Sequence, residues 1–421
     1  MRELQEGGDR LPQGADRSHG AWIVLAVTER GKHWRCTPFR RDESRDRIAA
    51  GPRGLMGQVT HRARRPVHRH PPSSLSLVTL PCATLAMVDA RTLIVPHADV
   101  ERLLPMPACI DVMAEALAAT ARGDALLPLR QVLRLHSGRD AFAVMPAVLG
   151  RSIGAKVITV FPGNDATPYE SHIGVILYFD DIHGRLLAII DASSVTAIRT
   201  AAVSGLATRL LANPDASRVA ILGAGVQGMT HLDAMRAVRD VSQVTIWSRS
   251  ADRRDRFVRW AREQRGVEVQ ACATPEEAVR SADIICTVTA SREPVLMGEW
   301  VAPGTHINAV GASIASAREL DTQAVTQSRL YVDRRESTMH EAGDFLIPRG
   351  EGAIDNDHIL GELGELLVGR ATGRTDPGQR TLFKSLGLAV EDVASARFIY
   401  ERALATNTGT WIELGGVRPD A

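Results

Sequence analysis

Lysine is scarce in this 421-residue chain: Lys32, Lys156 and Lys384 are the only three among 50 basic residues. Arginine meets the general need for positive charge, so a retained lysine points to a place that wants a compact or titratable ammonium. For Lys156, on a strand after a turn, the competing role is a surface salt bridge; for Lys384 it is packing or capping beside the last helix. Cysteine is sparse as well. Cys36, Cys82, Cys109, Cys272 and Cys286 are odd in number and have no CxxC spacing, which excludes a disulfide framework and a structural zinc site and suits a reducing, cytoplasmic setting. Long apolar runs are missing too. "AWIVLAV" at 21 to 27 is about a third of the roughly 20 residues a membrane helix needs, so neither a membrane span nor secretion is expected. The formal net charge of +1 implies no partner in bulk.

Charge is nevertheless uneven. Residues 1 to 86 hold 15 Lys/Arg against 8 Asp/Glu. "HRARRPVHRHPP" at 61 to 72 reads as a disordered basic extension in preference to a nucleic-acid tether, so no nucleic-acid partner is expected. His68 and His70 have no further ligands nearby, and no metal site is assigned. Met87 reads as the start of a folded domain. From there "ACIDVMAEALAATARG" is an amphipathic helix stopped by Gly123, followed by strand-like runs with a hairpin at "DDIHGR", the pattern of a mainly antiparallel α+β unit. "SSVTAIRTAAVSGLATRLLANP" reads as a long helix capped by Ser193 or Ser194. Strands and helices then alternate from about 206 to 345 as a doubly wound parallel sheet. The closing "TLFKSLGLAVEDVASARFIYERALA" reads as one helix. The expected divisions are therefore 1–86, 87–205, 206–345, and a 346–421 segment that returns to the first domain.

The run "RVAILGAGVQGMTHL" leads a strand into Gly223, Gly225 and Gly228 at the spacing of a dinucleotide-binding turn. Such a turn lets the backbone approach a pyrophosphate and aims a helix N-terminus at its charge. Gly223, Ala224, Gly225, Val226 and Gln227 are the expected cradle, with Thr287 and Thr289 at the end of "DIICTVTAS" as further cofactor residues. An NAD site usually carries an acidic residue about 20 positions on. This chain has Ser248, Arg249 and Ser250 there, so NADP(H) is favoured and NAD(H) remains possible.

"ILGAGVQ", "VTIWSRS", "GEWVAPGTHINAVGAS", "HEAGD" and "TLFKSLGLAVED" together resemble the ornithine cyclodeaminase and mu-crystallin family, most closely its mu-crystallin branch. The resemblance extends from about Leu93 to Ala403. It implies a Rossmann-type doubly wound parallel sheet inserted in an α+β substrate and dimerisation domain, a homodimer, and an active site in the cleft between the domains. It also implies that Arg130 binds a substrate carboxylate, that Lys156 is the active-site lysine, and that Arg199 lies near cofactor and substrate carboxylate. Ser171 and His172 would lie on the cofactor side, with Ser313, Glu341 and Ser385 lining the pocket. Where the cyclodeaminase branch resembles "GAD" or "GGD", this chain has "GAS", and the Ser313 hydroxyl is a poor base unless activated. The expected activity is thus NAD(P)H-dependent reduction of a cyclic imino acid. An ornithine cyclodeaminase-type lyase and an NADPH-dependent small-ligand binding protein are the alternatives.

Overall fold

A computed structural model of the chain describes residues 91–416, apart from 137, and residue 418. The expectations for residues 1 to 86, including His68, His70 and the start at Met87, lie outside the described residues.

The first half builds a mainly antiparallel layer, in which residues 93–95 pair in parallel with 188–190. In chain order it contains β1 (Arg91–Val95), α1 (His97–Leu103), α2 (Met106–Arg122), β2 (Ala125–Leu126), β3 (Gln131–Arg134), β4 (Ala141–Leu149), β5 (Ser152–Val160), β6 (His172–Phe179), β7 (Leu186–Asp191) and α3 (Ala192–Leu211). Cys109, Ile110, Met113, Ala116 and Leu117 line one side of α2, and that stripe is buried. The helix stops at Gly123 as the sequence indicates. The hairpin at "DDIHGR" joins antiparallel β6 and β7. One expectation needs correction: α3 is capped by Asp191, whose carboxylate accepts the Ser194 N–H at 2.8 Å. The helix begins directly off β7, and Ser194 itself donates its hydroxyl to the same carboxylate, so the serines lie inside the first turn. Fifteen residues of α3 are buried, because α2, α4 and strands of both sheets surround it.

The second half alternates. It runs through β8 (Arg218–Leu222), α4 (Val226–Val238), β9 (Gln243–Trp247), α5 (Ala251–Arg265), β10 (Gln270–Ala271), α6 (Pro275–Val279), β11 (Ile284–Thr287), β12 (His306–Ala309), α7 (Thr322–Thr326), β13 (Ser328–Val332), α8 (Arg335–Glu341) and α9 (Gly343–Gly350). It continues with β14 (Ile359–Glu362), α10 (Leu363–Leu367), β15 (Arg380–Lys384), α11 (Ala389–Thr406) and β16 (Thr410–Glu413). The parallel sheet has the order β10-β9-β8-β11-β12-β15-β13-β14, so the α/β class with a doubly wound sheet is as expected.

Its extent is not. Two strands come from beyond residue 345, and β15 sits between β12 and β13. "TLFK" is therefore strand, and the helix starts only at Ala389. A short apolar run carries no period that distinguishes a buried parallel strand from a helical turn. Only α11 and β16 return to the first sheet, whose order is β16-β1-β7-β6-β5-β4-β2 with β3 on the outside of β4.

Candidate active site

Alternation along β5 aims Lys156 inward, opposite Met145 and Ile176, beneath α11 and α3. Its side chain is 1% exposed, and its Nζ stands 2.8 Å from Oδ2 of Asp392 and 3.4 Å from Oγ1 of Thr196. A surface salt bridge is excluded by that burial. Burial lowers the Lys156 pKa to about 8; the Asp392 charge opposes this, while those of Arg199 and Arg130 reinforce it.

Arg199, expected near cofactor and substrate carboxylate, is paired with two acids. It is buried in α3, with Nε 3.1 Å from Asp392 and Nη1 3.0 Å from Glu391. Both carboxylates lie in the first turn of α11, where the free N–H groups of the helix favour negative charge. Glu391 also accepts the Leu388 N–H at 3.1 Å. Burial pushes the Glu391 pKa up to about 7 against the pull of Arg199. Neither carboxylate was singled out from sequence, although "AVED" placed two acids at a helix start within an otherwise apolar run.

Arg130 stands before β3 with its side chain 19% exposed. Its Nη2 lies 2.9 Å from Oε2 of Glu341 and donates to the carbonyls of Leu386 (2.9 Å) and Gly387 (3.3 Å). Asp333 holds that bend from the other side by accepting the N–H groups of Leu386 and Gly387 at 2.5 and 2.8 Å. Arg130, Leu127, Met145, Ser337 and Leu388 line a small crevice here. Among the described residues Nε and Nη1 of Arg130 have no partner. Burial raises the Glu341 pKa, opposed by Arg130.

At the start of β6, Ser171 Oγ and His172 Nδ1 are 2.9 Å apart. The His172 side chain is exposed, yet desolvation by the protein around it, then the charges of Lys156 and Arg199, lower its pKa. Ser313 is exposed on the loop after β12, and Ser385 is buried after β15 with its N–H on the Ala309 carbonyl at 3.0 Å.

The glycine turn lies at the carboxyl end of β8. Gly223 has φ +124°, and a Cβ there would meet the Val288 carbonyl oxygen at 2.7 Å; one on Gly228 would run into the Gly223 carbonyl. Gly225 is the N-cap of α4 without any side-chain cap, and Ala224, Val226 and Gln227 complete the turn. Ser250 caps α5 by accepting the Arg253 N–H at 3.3 Å. Arg249, beside Ser248, is exposed without a hydrogen bond or ion pair among the described residues. Thr287 is fully buried with its hydroxyl on Glu319, which also holds Thr289.

A glycine turn at the carboxyl end of a parallel-sheet strand, together with a mainly antiparallel sheet that carries a buried lysine, defines the class: an α/β protein of the Rossmann dinucleotide-binding type. Within that class, residues 90–407 match the model of the ornithine cyclodeaminase/mu-crystallin family, and the chain belongs to this family. The ketimine reductase mu-crystallin of Mus musculus is 40% identical over 281 residues, 66% of this chain and 86% of the mouse protein. The Δ1-pyrroline-2-carboxylate reductase of Bacillus cereus is 33% identical over 324 residues, 76% of this chain and 99% of the relative. The solved structure of Thermococcus litoralis Δ1-pyrroline-2-carboxylate reductase, in complex with NADH and L-proline, has 36% identity and a TM-score of 0.74. That match covers 76% of this chain and 99% of the archaeal one.

Proposed function

We propose that this chain is an NAD(P)H-dependent reductase of small cyclic imino acids, of the pyrroline- or piperideine-2-carboxylate class, yielding the saturated cyclic amino acid. The observation that carries it is the fully buried Lys156–Asp392 pair, in a chain similar to Δ1-pyrroline-2-carboxylate reductases.

The turn from Gly223 to Gln227 fits a dinucleotide: its backbone can be approached closely, and the uncapped α4 N-terminus leaves N–H groups for a pyrophosphate. When bound there, NAD(P)H supplies a hydride. Arg130 binds the substrate carboxylate through its unengaged donors, a charge-assisted, orienting contact. Lys156 holds a proton for the imine nitrogen, which raises the electrophilicity of the carbon beside it. Asp392 keeps Lys156 charged despite its burial, and Arg199 fixes Asp392; both are positioning residues. Arg249 suits a 2′-phosphate, and Ser248 to Ser250, directly after β9, include no carboxylate to repel one, so NADPH is the preferred donor. Ser313 puts no ionisable group where a diamine's distal ammonium would need one, which disfavours the cyclodeaminase reading.

Two cross-strand rows, Leu133–Phe142–Thr159–Ile173 and Val144–Val157–Val175, lie on the sheet face away from the helices. Leu133, Ile173 and Val175 are 64%, 43% and 36% exposed. Strands apolar on both faces belong in an interior, so we infer a homodimer across this face. The described cysteines, Cys109, Cys272 and Cys286, are free and buried, in keeping with a cytoplasmic enzyme. Among the described residues no single helix is long and apolar enough to cross a membrane.

The test is an NADPH- and NADH-oxidation assay with five- and six-membered cyclic imino acids, run beside an ammonia-release assay with ornithine. Stoichiometric oxidation of the dinucleotide is expected. Ammonia release with catalytic NAD would make the protein a lyase, and dinucleotide-dependent binding without turnover would make it a binding protein.

A further inference from the structure

A buried acid outside the lysine site joins the two loops that leave the parallel sheet beside the glycine turn. Glu319 is 0% exposed. Its Oε1 accepts the Thr289 N–H at 2.6 Å and the Thr289 hydroxyl at 2.7 Å. Its Oε2 accepts the Gly311 N–H at 2.7 Å and the Thr287 hydroxyl at 2.8 Å. Each oxygen thus holds one backbone N–H, from the loop after β11 and the loop after β12 respectively. These loops approach so closely that a Cβ on Gly311 would run into the Thr289 carbonyl. The first of them also carries Val288, against which Gly223 packs.

Glu319 is itself held. Asp344 Oδ1 accepts the N–H groups of Glu319 and Leu320 at 2.8 and 3.0 Å, and Asp344 Oδ2 lies 2.9 Å from Nζ of Lys384. Lys384 ends β15, the strand beside β12. Burial and the Asp344 charge raise the Glu319 pKa, while the Thr289 bonds and Lys384 oppose that rise. In parallel sheets the ligand lies beyond the carboxyl ends of the strands, and the dinucleotide's pyrophosphate belongs at β8. The neighbouring ends of β11 and β12 then lie toward its nicotinamide half.

We infer that Glu319 is a positioning residue, a buried clamp that fixes the two loops forming the floor for the nicotinamide end of the cofactor. This rests on the dinucleotide-binding reading above. A glutamine at this position offers one oxygen and one NH2 group, so in either orientation an N–H donor of Thr289 or Gly311 faces another donor. One loop is released and the other kept. Preorganisation of a site by residues that do not touch the ligand is lost in such a change.

The experiment measures Kd for NADPH and NADH by fluorescence, and for the matching ADP-ribose compounds, which lack nicotinamide, by calorimetry. The full chain and its Glu319→Gln variant are compared. Loss of one buried hydrogen-bonding partner should weaken dinucleotide binding roughly tenfold and leave ADP-ribose affinity within about twofold. KM for the dinucleotide should rise with it. Thr287→Val removes one hydroxyl from the clamp and should shift the same ratio by about threefold; it decides the matter where Glu319→Gln does not fold. Equal weakening of both ligand types, or of neither, overturns the inference. Failure of the unmutated protein to bind any dinucleotide overturns the cofactor reading, and the clamp with it.

Discussion

At the residue scale, the site is a balance of buried charges. Lys156 and Arg199 share Asp392, Arg199 also holds Glu391, and Arg130 is balanced by Glu341. Breaking such a set leaves a charge without a partner in a poorly solvated place. With its pKa lowered to about 8, Lys156 loses its proton as pH rises through that value, so kcat should fall on the alkaline side. Asp392 and Thr196 contact it, and the charges of Arg199 and Arg130 act on it. Asp392 raises the lysine pKa, so Asp392→Asn should move the alkaline limb of the kcat profile to lower pH; an unmoved limb would assign it to another group. Lys156→Ala should lower kcat by about a hundredfold or more, the scale of general acid catalysis, as stopped-flow or steady-state NADPH oxidation would show. Arg130→Met removes charge-assisted contacts of roughly 1.5 to 3 kcal/mol, so KM for the imino acid should rise at least about tenfold while KM for the dinucleotide stays nearly constant.

At the element scale, the ends of helices and strands decide the chemistry. The start of α4 is left without a side-chain cap, whereas α5 is closed by Ser250. That contrast separates a helix open to a ligand from one that is already satisfied. Arg249 lies between β9 and α5, exposed and unpaired among the described residues. Arg249→Ala should weaken NADPH binding by about tenfold or more and NADH binding little, since one charged partner of a phosphate is lost; titrations with both dinucleotides check this, and equal weakening would remove Arg249 from the 2′-phosphate. The glycine turn and the Lys156 strand were legible because their signals are local. Asp191 as the cap of α3 and the strand character of "TLFK" were not, because the chosen cap and the buried sheet position depend on what packs alongside.

At the scale of the whole molecule, the chain crosses between its two sheets and closes the second only after residue 380. The first sheet turns Lys156 toward α11 and an apolar face away from it. If that face joins two copies, Val175→Glu together with Ile173→Glu should convert a dimer to a monomer or an aggregate, because two charges would be buried unpaired; light scattering on a sizing column reads the mass directly. A dimer that survives both changes would place the interface elsewhere. The class of fold, the glycine turn, the retained lysines and the long ordered motifs of the family are legible along the chain, because each is carried by neighbouring residues. Which acids meet which bases is settled by packing. Asp392 lies 236 positions after Lys156, and Glu319 lies 30 after Thr289 and 8 after Gly311. Such pairings are set when α11 packs over β5 and the strand ends come side by side, and a local pattern of residue types holds no record of that approach.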